Sequence, residues 1–342
     1  MTLIHLPSDD VLDRACALLA TGKLVAIPTE TVYGLAANAW DPDAVARIFT
    51  AKQRPPNNPL IVHVASVARI GEAVALPLSS ELQWQLDCVI DLWPGPLTVV
   101  LPRSQRISDI VTTGRDTVAV RIPSHSVALR LLERCPFPIA APSANRSNYV
   151  SPTTAEHCVG TAALPGIHDF IELVIDGGNC DFGVESTIVA LRPEGPKLLR
   201  PGGVTAETLA KRFGISVDQL TECETPAASG TTAMQAPGMM KEHYSPRTPL
   251  RLYPSDREVA LPKRSGRIAF QKLDPVDAAR YVIVETLSES GDLGEVARGL
   301  FAALRRLDQA ELDLIVVDTC ESSGMGLAIM DRLHRAAASG SR

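Results

Sequence analysis

The sequence has little of several features that mark common protein classes. Aromatic residues make up 4% of its 342 residues, which is few for a module that stacks nucleic-acid bases on aromatic side chains. No apolar run approaches the roughly 18 residues of a membrane span, and the first residues lack the basic and apolar segments of a secretory signal. From these absences we expect a cytoplasmic protein with no membrane partner.

A large excess of one charge and a cysteine framework are also missing. The chain has 33 basic and 39 acidic residues and a net charge of −6, which argues against a dedicated nucleic-acid or membrane-surface binder but leaves local basic patches open. Its seven cysteines are widely spaced without a CxxC pair, so neither a disulfide framework nor a zinc cluster is indicated. We expect reduced cysteines with a packing role.

The patterning that is present divides the chain into three parts. Residues 1–212 alternate short apolar runs with amphipathic stretches of helical length, which predicts an α/β or α+β domain. Residues 213–247 are interpreted as a linker and active-site lid, because 221–238 lose the periodicity and concentrate small and turn-forming residues; the alternative is that His243 and Tyr244 only anchor the second domain. Residues 248–342 predict a smaller Rossmann-like α/β domain. That domain carries no GxGxxG fingerprint, so we do not expect dinucleotide binding.

A basic segment of the first domain is a candidate anion site. Asp41 as N-cap and Pro42 at the first helical position predict a helix that runs to about Lys52. The prolines that follow keep Arg54 out of the helical conformation. Lys52 and Arg54 can then turn towards one anion from a solvent-facing rim. A solvated cationic helix end is the alternative.

Two predicted strands carry polar residues inside apolar runs. His63 lies in the run 60–64, where a satisfied core histidine is the alternative to a ligand contact. In the run 117–122, alternation places Arg121 on the face opposite Val118 and its apolar neighbours. Its guanidinium either holds a carboxylate as a fork or lies on an exposed sheet face.

Together with turns at strand ends, these motifs resemble the YrdC-like family. The motifs that carry the resemblance are PTETVYGL at 28–35, the KxR of Lys52 and Arg54, NPLIVH at 58–63, WPGPLT at 93–98, the SxN of Ser143 and Asn145, ESTI at 185–188 and RPG at 200–202. PGM at 237–239 and HYSP at 243–246, followed by an α/β unit, resemble the two-domain branch of the family. The resemblance covers nearly the whole chain and implies a twisted α/β sheet with a basic concave cavity, plus the smaller domain.

The resemblance also implies an activity. Proteins of this family form L-threonylcarbamoyladenylate and diphosphate from L-threonine, bicarbonate and ATP, as nucleotidyltransferases in the t6A modification of tRNA. It implies Mg²⁺ arriving with ATP, because no dense set of carboxylate ligands is visible, and a downstream t6A transferase machinery, with at most weak tRNA binding. Two rival classes stay open: an RNA-binding or ribosome-associated YrdC-like module, and a carbamoyl-adenylate enzyme that serves another acceptor.

The family pattern implies roles for individual residues. The implied ATP-binding residues are Lys52, Arg54, Asn58, Thr113, Ala141, Ser143, Asn145, Ser151, Arg200 and His243, with Lys52 and Arg54 as the catalytic pair. The implied threonine pocket is Thr31, His63, Arg121 and Ser186. Fixed cations suit the charge that develops on the phosphoryl oxygens when N-carboxythreonine attacks the α-phosphate. The sequence departs from the pattern at Lys241, where an aromatic residue is usual, and at Asp331, where Asn is usual and we expect a packing role.

Overall fold

The computed structural model describes residues 3–160, 167–222, 243–254 and 261–338. The strands are β1 (Ile4–His5), β2 (Val25–Ile27), β3 (Gly34–Asn38), β4 (Ile61–His63), β5 (Leu97–Pro102), β6 (Thr117–Arg121), β7 (Ile139–Ala140), β8 (Leu173–Ile175), β9 (Thr187–Ala190), β10 (Lys197–Arg200), β11 (Leu250–Tyr253), β12 (Ser265–Ala269), β13 (Ile283–Thr286) and β14 (Leu314–Asp318). The helices are α1 (Asp9–Ala20), α2 (Pro42–Lys52), α3 (Ser80–Asp87), α4 (Asp109–Thr112), α5 (Ser126–Arg134), α6 (Glu156–Val159), α7 (Ala206–Phe213), α8 (Val217–Thr221), α9 (Pro275–Ala278), α10 (Leu293–Gln309) and α11 (Met325–Ala337).

The first part of the chain builds one mixed sheet. Its described strands follow the order β1-β8-β2-β3-β7-β4-β6-β5-β9-β10. Strands β4 and β6 are parallel and place His63 beside Arg121, while β5 is antiparallel to β6 and places Thr98 on the other side of Arg121. This order brings together polar residues that are far apart in the sequence.

The alternation predicted for β6 is confirmed. Val118 and Val120 pack in the main hydrophobic core of the sheet, whereas Ala119 belongs to a small apolar cluster with Ile61. Because successive side chains of a strand point to opposite faces, Arg121 lies on the face of Ala119. That face turns out to be buried rather than exposed.

The predicted start and end of α2 are also confirmed. The Asp41 side chain accepts hydrogen bonds from the backbone N–H groups of Asp43 and Ala44, and Pro42 occupies the first turn, where its missing N–H costs nothing. The helix ends at Lys52 and is followed by Gln53 in a left-handed conformation with φ of 51°. The left-handed residue ends the helix, so Arg54 lies outside it.

The second part of the chain has a separate four-stranded parallel sheet in the order β11-β14-β12-β13. Its strands overlap the apolar runs of the sequence at 248–254, 267–270, 281–286 and 312–318, and α10 and α11 overlap the amphipathic stretches 293–308 and 326–338. The apolar residues of both helices share one core with the sheet. The α/β prediction for this part is therefore confirmed.

The two parts of the chain share apolar packing. Val32, Val150 and Val184 belong to the same buried cluster as Phe301 of α10 and the core of the second sheet. The segment predicted as a linker includes α8, which a Ser216 capping box begins. The predicted lid stretch 221–238 falls almost entirely in 223–242, outside the described residues, and so does Lys241.

Two expectations from composition can be compared with the described residues. Within these ranges, no helix combines the length and apolar character needed to cross a bilayer. The described cysteines are all free thiols, as expected: Cys16, Cys88, Cys135, Cys158, Cys180 and Cys320.

Candidate active site

A cavity opens where several strands of the large sheet end, and it contains members of both groups of predicted site residues. Those that line it are Thr31, Arg54, His63, Arg121, Ala141, Ser143, Ser186, Arg200 and His243. Its wall also contains residues that were not predicted as ligands: Thr29, Val32, Gly34, Ile61, Pro142, Glu185 and Tyr244. The parallel pairing of β4 with β6 and of β5 with β9 brings these side chains to one edge of the sheet.

Other predicted residues lie outside this lining, namely Lys52, Asn58, Thr113, Asn145 and Ser151. Three of them form hydrogen bonds with lining residues: Lys52 with Ser143, Asn58 with Arg54, and Ser151 with Glu185. Asn145 accepts a hydrogen bond from Lys52. Thr113 follows α4 in a left-handed conformation, and none of the described hydrogen bonds joins it to the cavity wall.

Lys52 is a buried anchor of the turn after β7. Its Nζ donates to the backbone oxygens of Ser143 and Asn145, at 2.5 Å in both cases. Burial, together with the nearby Arg54, holds the pKa of Lys52 well below its usual range. The expected solvent-facing rim is wrong, because Lys52 is 1% exposed and Arg54 8% exposed. The turn that carries the SxN motif covers Lys52, while the segment 58–59 packs on Arg54.

Arg54 reaches the cavity from a hydrogen-bonded platform. Its Nε donates to the backbone oxygen of Asn58 at 2.9 Å. Its Nη2 lies 2.6 Å from the Asn58 side-chain oxygen and 2.6 Å from the backbone oxygen of Pro59. Burial and the charge of Arg200 lower the pKa of Arg54 to about 9, so its charge is retained near neutral pH. Asn58 thus holds the arginine that lines the cavity.

Arg121 is held from three sides. Its Nη1 donates to the Thr31 hydroxyl at 2.9 Å and its Nε to the backbone oxygen of Gly95 at 3.2 Å. Its Nη2 lies 2.7 Å from a carboxylate oxygen of Glu30, a contact that is an ion pair rather than an aligned hydrogen bond. Glu30 lies within the PTETVYGL motif at 28–35 but was not among the predicted site residues.

His63 lies beside Arg121 on β4, and Ser186 lies just before β9, on the far side of β5. Burial and the charge of Arg121 lower the pKa of His63 to about 3, so its imidazole is neutral at physiological pH. Ser186 shares a hydrogen bond of 2.8 Å with Thr98, and Nη2 of Arg200 donates to its hydroxyl at 3.2 Å. These contacts fix the Ser186 hydroxyl at the cavity wall.

Glu185 connects the cavity to the second domain. One of its carboxylate oxygens accepts a hydrogen bond of 2.6 Å from Ser151, and the other accepts one of 2.9 Å from Nε of Arg332. Burial raises the pKa of Glu185, but the charges of Arg332 and Arg200 outweigh burial and bring the pKa to about 2. Glu185 directly precedes Ser186 in the ESTI motif. This position beside a predicted threonine-binding residue was the sequence feature that could have identified Glu185 as part of the site.

The turn after β10 approaches this segment so closely that it requires glycine. A Cβ atom on Gly202 would lie 2.3 Å from the backbone oxygen of Glu185 and 2.4 Å from the backbone nitrogen of Thr187. Real Cβ atoms do not approach backbone atoms this closely. Gly202 therefore lets the turn that carries Arg200 pack against the backbone of the ESTI segment.

His243 and Tyr244 lie between the cavity and the second domain. Both line the cavity, and their ring centroids are 4.0 Å apart. Tyr244 also stacks on Phe301 with a centroid distance of 5.5 Å. Burial and the neighbouring cations lower the pKa of His243 to about 3, although Glu185 opposes them. Tyr244 therefore contacts both the cavity and the second core, and His243 lines the cavity beside it.

The cavity wall carries positive charge. Arg54, Arg121 and Arg200 line it, while the carboxylate that the described lining contributes, Glu185, is already paired with Arg332. Fixed guanidinium groups in a cavity wall suit the carboxylate and phosphate groups of substrates. The mixed sheet, the KxR and SxN segments and this basic cavity define an α/β enzyme of the YrdC type with a second domain.

Comparison with known proteins identifies the family. Residues 17–202 match the family Sua5_yciO_yrdC, described as telomere recombination, and residues 204–338 match the C-terminal domain of threonylcarbamoyl-AMP synthase. The threonylcarbamoyl-AMP synthase of Pyrococcus abyssi is 41% identical over 330 residues, which cover 94% of this chain and 92% of that protein. The one of Bacillus subtilis is 38% identical over 346 residues, with coverage of 96% and 94%.

A solved structure agrees with this assignment. The crystal structure of Pyrococcus abyssi Sua5 complexed with L-threonine has a TM-score of 0.81 and 36% identity, covering 99% of this chain and 97% of that one. The chain belongs to the threonylcarbamoyl-AMP synthases, which are nucleotidyltransferases of t6A biosynthesis. The activity expected from the sequence is therefore confirmed, and the two rival classes lose their support.

Proposed function

We propose that the basic cavity is the place where L-threonine, bicarbonate and ATP are joined. Thr31, His63, Arg121 and Ser186 hold threonine, and Arg54, Ala141, Ser143, Arg200 and His243 line the side that takes ATP. The observation that carries this proposal is that members of both predicted groups line one cavity. The L-threonine complex of the related Pyrococcus abyssi protein supports it.

On the threonine side, charge and hydroxyl groups suit an amino acid with a hydroxyl. The guanidinium of Arg121 binds the substrate carboxylate. His63, neutral because of its lowered pKa, and the Ser186 hydroxyl offer donor and acceptor atoms to the threonine hydroxyl or amine. A site that pairs this hydroxyl disfavours an analogue without it, because its own polar groups would then be left unpaired.

On the ATP side, cations stabilise the transferred group. An oxygen of N-carboxythreonine attacks the α-phosphorus, and the bond from this phosphorus to the diphosphate breaks. Negative charge then grows on the phosphoryl oxygens and the leaving diphosphate, and Arg54 and Arg200 stabilise it electrostatically. Lys52 supports the SxN turn by holding the backbone oxygens of Ser143 and Asn145. Asn58 and Ser151 support Arg54 and Glu185.

Mg²⁺ enters as part of the MgATP substrate. Both carboxylate oxygens of Glu185 are engaged, by Ser151 and Arg332, and the described residues contain no group of three or more potential metal ligands. The phosphates of ATP therefore supply most of the ligands of Mg²⁺ in this proposal. Thr113 remains in the proposed ATP group on the family pattern alone.

The wider assignments are proposals of the same kind. We propose a YrdC-like catalytic domain over 1–212, a linker and lid over 213–247, and a Rossmann-like domain over 248–342, with the matched families at 17–202 and 204–338 in support. The product goes to a t6A transferase machinery, with at most weak direct binding of tRNA. A cytoplasmic location stays a prediction.

The test is the dependence of diphosphate release on each substrate. Purified protein is incubated with MgATP, and threonine and bicarbonate are added separately and together, with mass analysis of the product. We expect diphosphate release and a threonylcarbamoyl adenylate only when all substrates are present. Diphosphate release without threonine, or an adenylate that lacks the threonyl group, contradicts the proposal.

A further inference from the structure

Glu30 is a buried carboxylate beside the threonine side of the cavity. It is 1% exposed and does not belong to the cavity lining. Its Oε1 lies 2.7 Å from Nη2 of Arg121 and accepts a hydrogen bond of 3.0 Å from the backbone N–H of Ser124. Burial raises the pKa of Glu30, but Arg121 and the Ser124 N–H outweigh burial and hold the pKa below its usual range. Glu30 is therefore ionised in the folded protein.

A buried ion pair of this kind is a poor way to stabilise a fold. The desolvation of two charges offsets most of their attraction, and apolar residues of similar size often stabilise a protein as well or better. Glu30 also accepts through one oxygen only, since Oε2 has no hydrogen-bond partner among the described residues. Its position is better explained by what it does to Arg121.

Three contacts restrict the plane of the Arg121 guanidinium. Thr31 holds Nη1, Gly95 holds Nε, and Glu30 lies against Nη2. Of these partners, Thr31 and Gly95 are neutral acceptors and Glu30 alone is charged. Thr31 and Gly95 fix the directions of two N–H groups, and the charge of Glu30 attracts the Nη2 end of the guanidinium more strongly than a neutral acceptor would, so all three partners together set its orientation.

We propose that Glu30 is a positioning residue, which orients the guanidinium of Arg121 for the carboxylate of threonine. The proposal rests on the proposed role of Arg121. With Glu30 in place, the guanidinium presents its remaining N–H groups to the cavity in one orientation before the substrate arrives. Without Glu30 it samples several orientations, and substrate binding has to select one of them.

The first experiment is steady-state kinetics of Glu30→Gln. We expect the KM for threonine to rise about tenfold, the loss typical of one contact to a charged group, with the KM for ATP and kcat nearly unchanged. The matched control is Glu72→Gln, which removes the carboxylate of the Arg69–Glu72 ion pair. This pair does not line the cavity, so the substitution should change none of these constants. An unchanged or lower KM for threonine in Glu30→Gln overturns the proposal.

The second experiment does not require Glu30→Gln to fold. In Arg121→Ala, added guanidinium ion can enter the space of the missing side chain, and Glu30 is then its charged partner. We expect guanidinium to lower the raised KM for threonine in Arg121→Ala but not in Arg121→Ala/Glu30→Gln, in which both buried charges are removed together. Rescue in both variants, or in neither, overturns the proposal.

The proposed role of Arg121 and the proposed role of Glu30 can be tested separately. If Arg121→Ala leaves the KM for threonine unchanged, the proposed role of Arg121 is wrong, and the role of Glu30 falls with it. If Arg121→Ala raises this KM but Glu30→Gln does not, Arg121 binds threonine without help from Glu30. Thermal unfolding of each variant shows whether a kinetic change reflects a loss of folded protein.

Discussion

Nε of Arg332, on the last helix, donates a hydrogen bond of 2.9 Å to Oε2 of Glu185 in the wall of the cavity. A second nitrogen of Arg332 donates to the backbone oxygen of Pro201 at 2.8 Å, in the turn after Arg200. The second domain therefore holds two parts of the active-site wall. The departure from the family pattern at Asp331 is accommodated, because Asp331 pairs with Arg332 and Arg335.

Replacement of Arg332 by Met should lower both stability and activity. It leaves the buried carboxylate of Glu185 without its cation, which typically costs about 3 kcal/mol. As a control, Arg306→Met breaks the more exposed pair with Glu285 and should cost less than about 1 kcal/mol. Denaturant unfolding and diphosphate release measure the two effects. Equal losses of stability in the two variants would show that the buried Glu185–Arg332 pair contributes no more to stability than the exposed pair.

Replacement of Lys52 and Arg54 should affect different properties. Lys52→Met leaves the backbone oxygens of Ser143 and Asn145 without a donor, so we expect lower stability together with lower turnover. Arg54→Ala removes a charge from the cavity wall and should lower turnover about 10²-fold or more. Turnover and thermal unfolding of both purified variants are the measurements. Near-normal turnover in Arg54→Ala contradicts its assignment to the transferred phosphate.

The substitution Arg121→Lys should weaken threonine binding selectively. A lysine ammonium cannot replace the planar guanidinium that contacts Thr31, Gly95 and Glu30 at once. We expect the KM for threonine to rise while the KM for ATP stays nearly constant. If ATP binding weakens first, Arg121 belongs to the nucleotide side of the cavity.

The roles of His243 and Tyr244 can be distinguished by substitutions at these residues and at Phe301. His243→Ala should reduce product formation without loosening the domains, whereas Phe301→Ala, which removes the ring stacked on Tyr244, should mainly lower stability. Tyr244→Ala should do both. Product yield and proteolytic sensitivity distinguish these effects. If His243→Ala changes only the proteolytic sensitivity, His243 is an anchor and not part of the reaction site.

The protein should lose stability as the pH falls from about 7 to 5. Burial and the charges of Arg305 and Arg306 lower the pKa of His157 from its ordinary 6.5 to about 3. As the pH falls, His157 is therefore protonated in the unfolded chain before it is protonated in the folded protein. The contribution of neutral His157 to stability is complete above pH 6.5 and is lost as the pH falls towards 3. The loss is at most about 1.4 kcal/mol per pH unit for one proton. In His157→Asn the free energy of unfolding, measured with denaturant, should depend less steeply on pH. An unchanged slope would rule out His157 as a source of the pH dependence.

Local rules predicted the elements of the fold better than they predicted the environment of the site. Asp41 and Pro42 set the start of α2, and alternation placed Arg121 opposite Val118, because both effects depend on near neighbours. The burial of Lys52 depends on a turn that comes from β7, and Glu185 depends on Arg332 near the end of the chain. Neither partner can be found by the spacing of residues in one sequence.

The shared apolar cluster also affects how such chains can change during evolution. Val32, Val150 and Val184 pack with Phe301 and the second core, so deletion of the second domain would expose apolar side chains beside the cavity. Polar residues at these three positions would reduce that exposed apolar surface, and we expect such replacements to accompany the deletion. For the same reason, we expect the two family regions of this chain to be inherited as one unit.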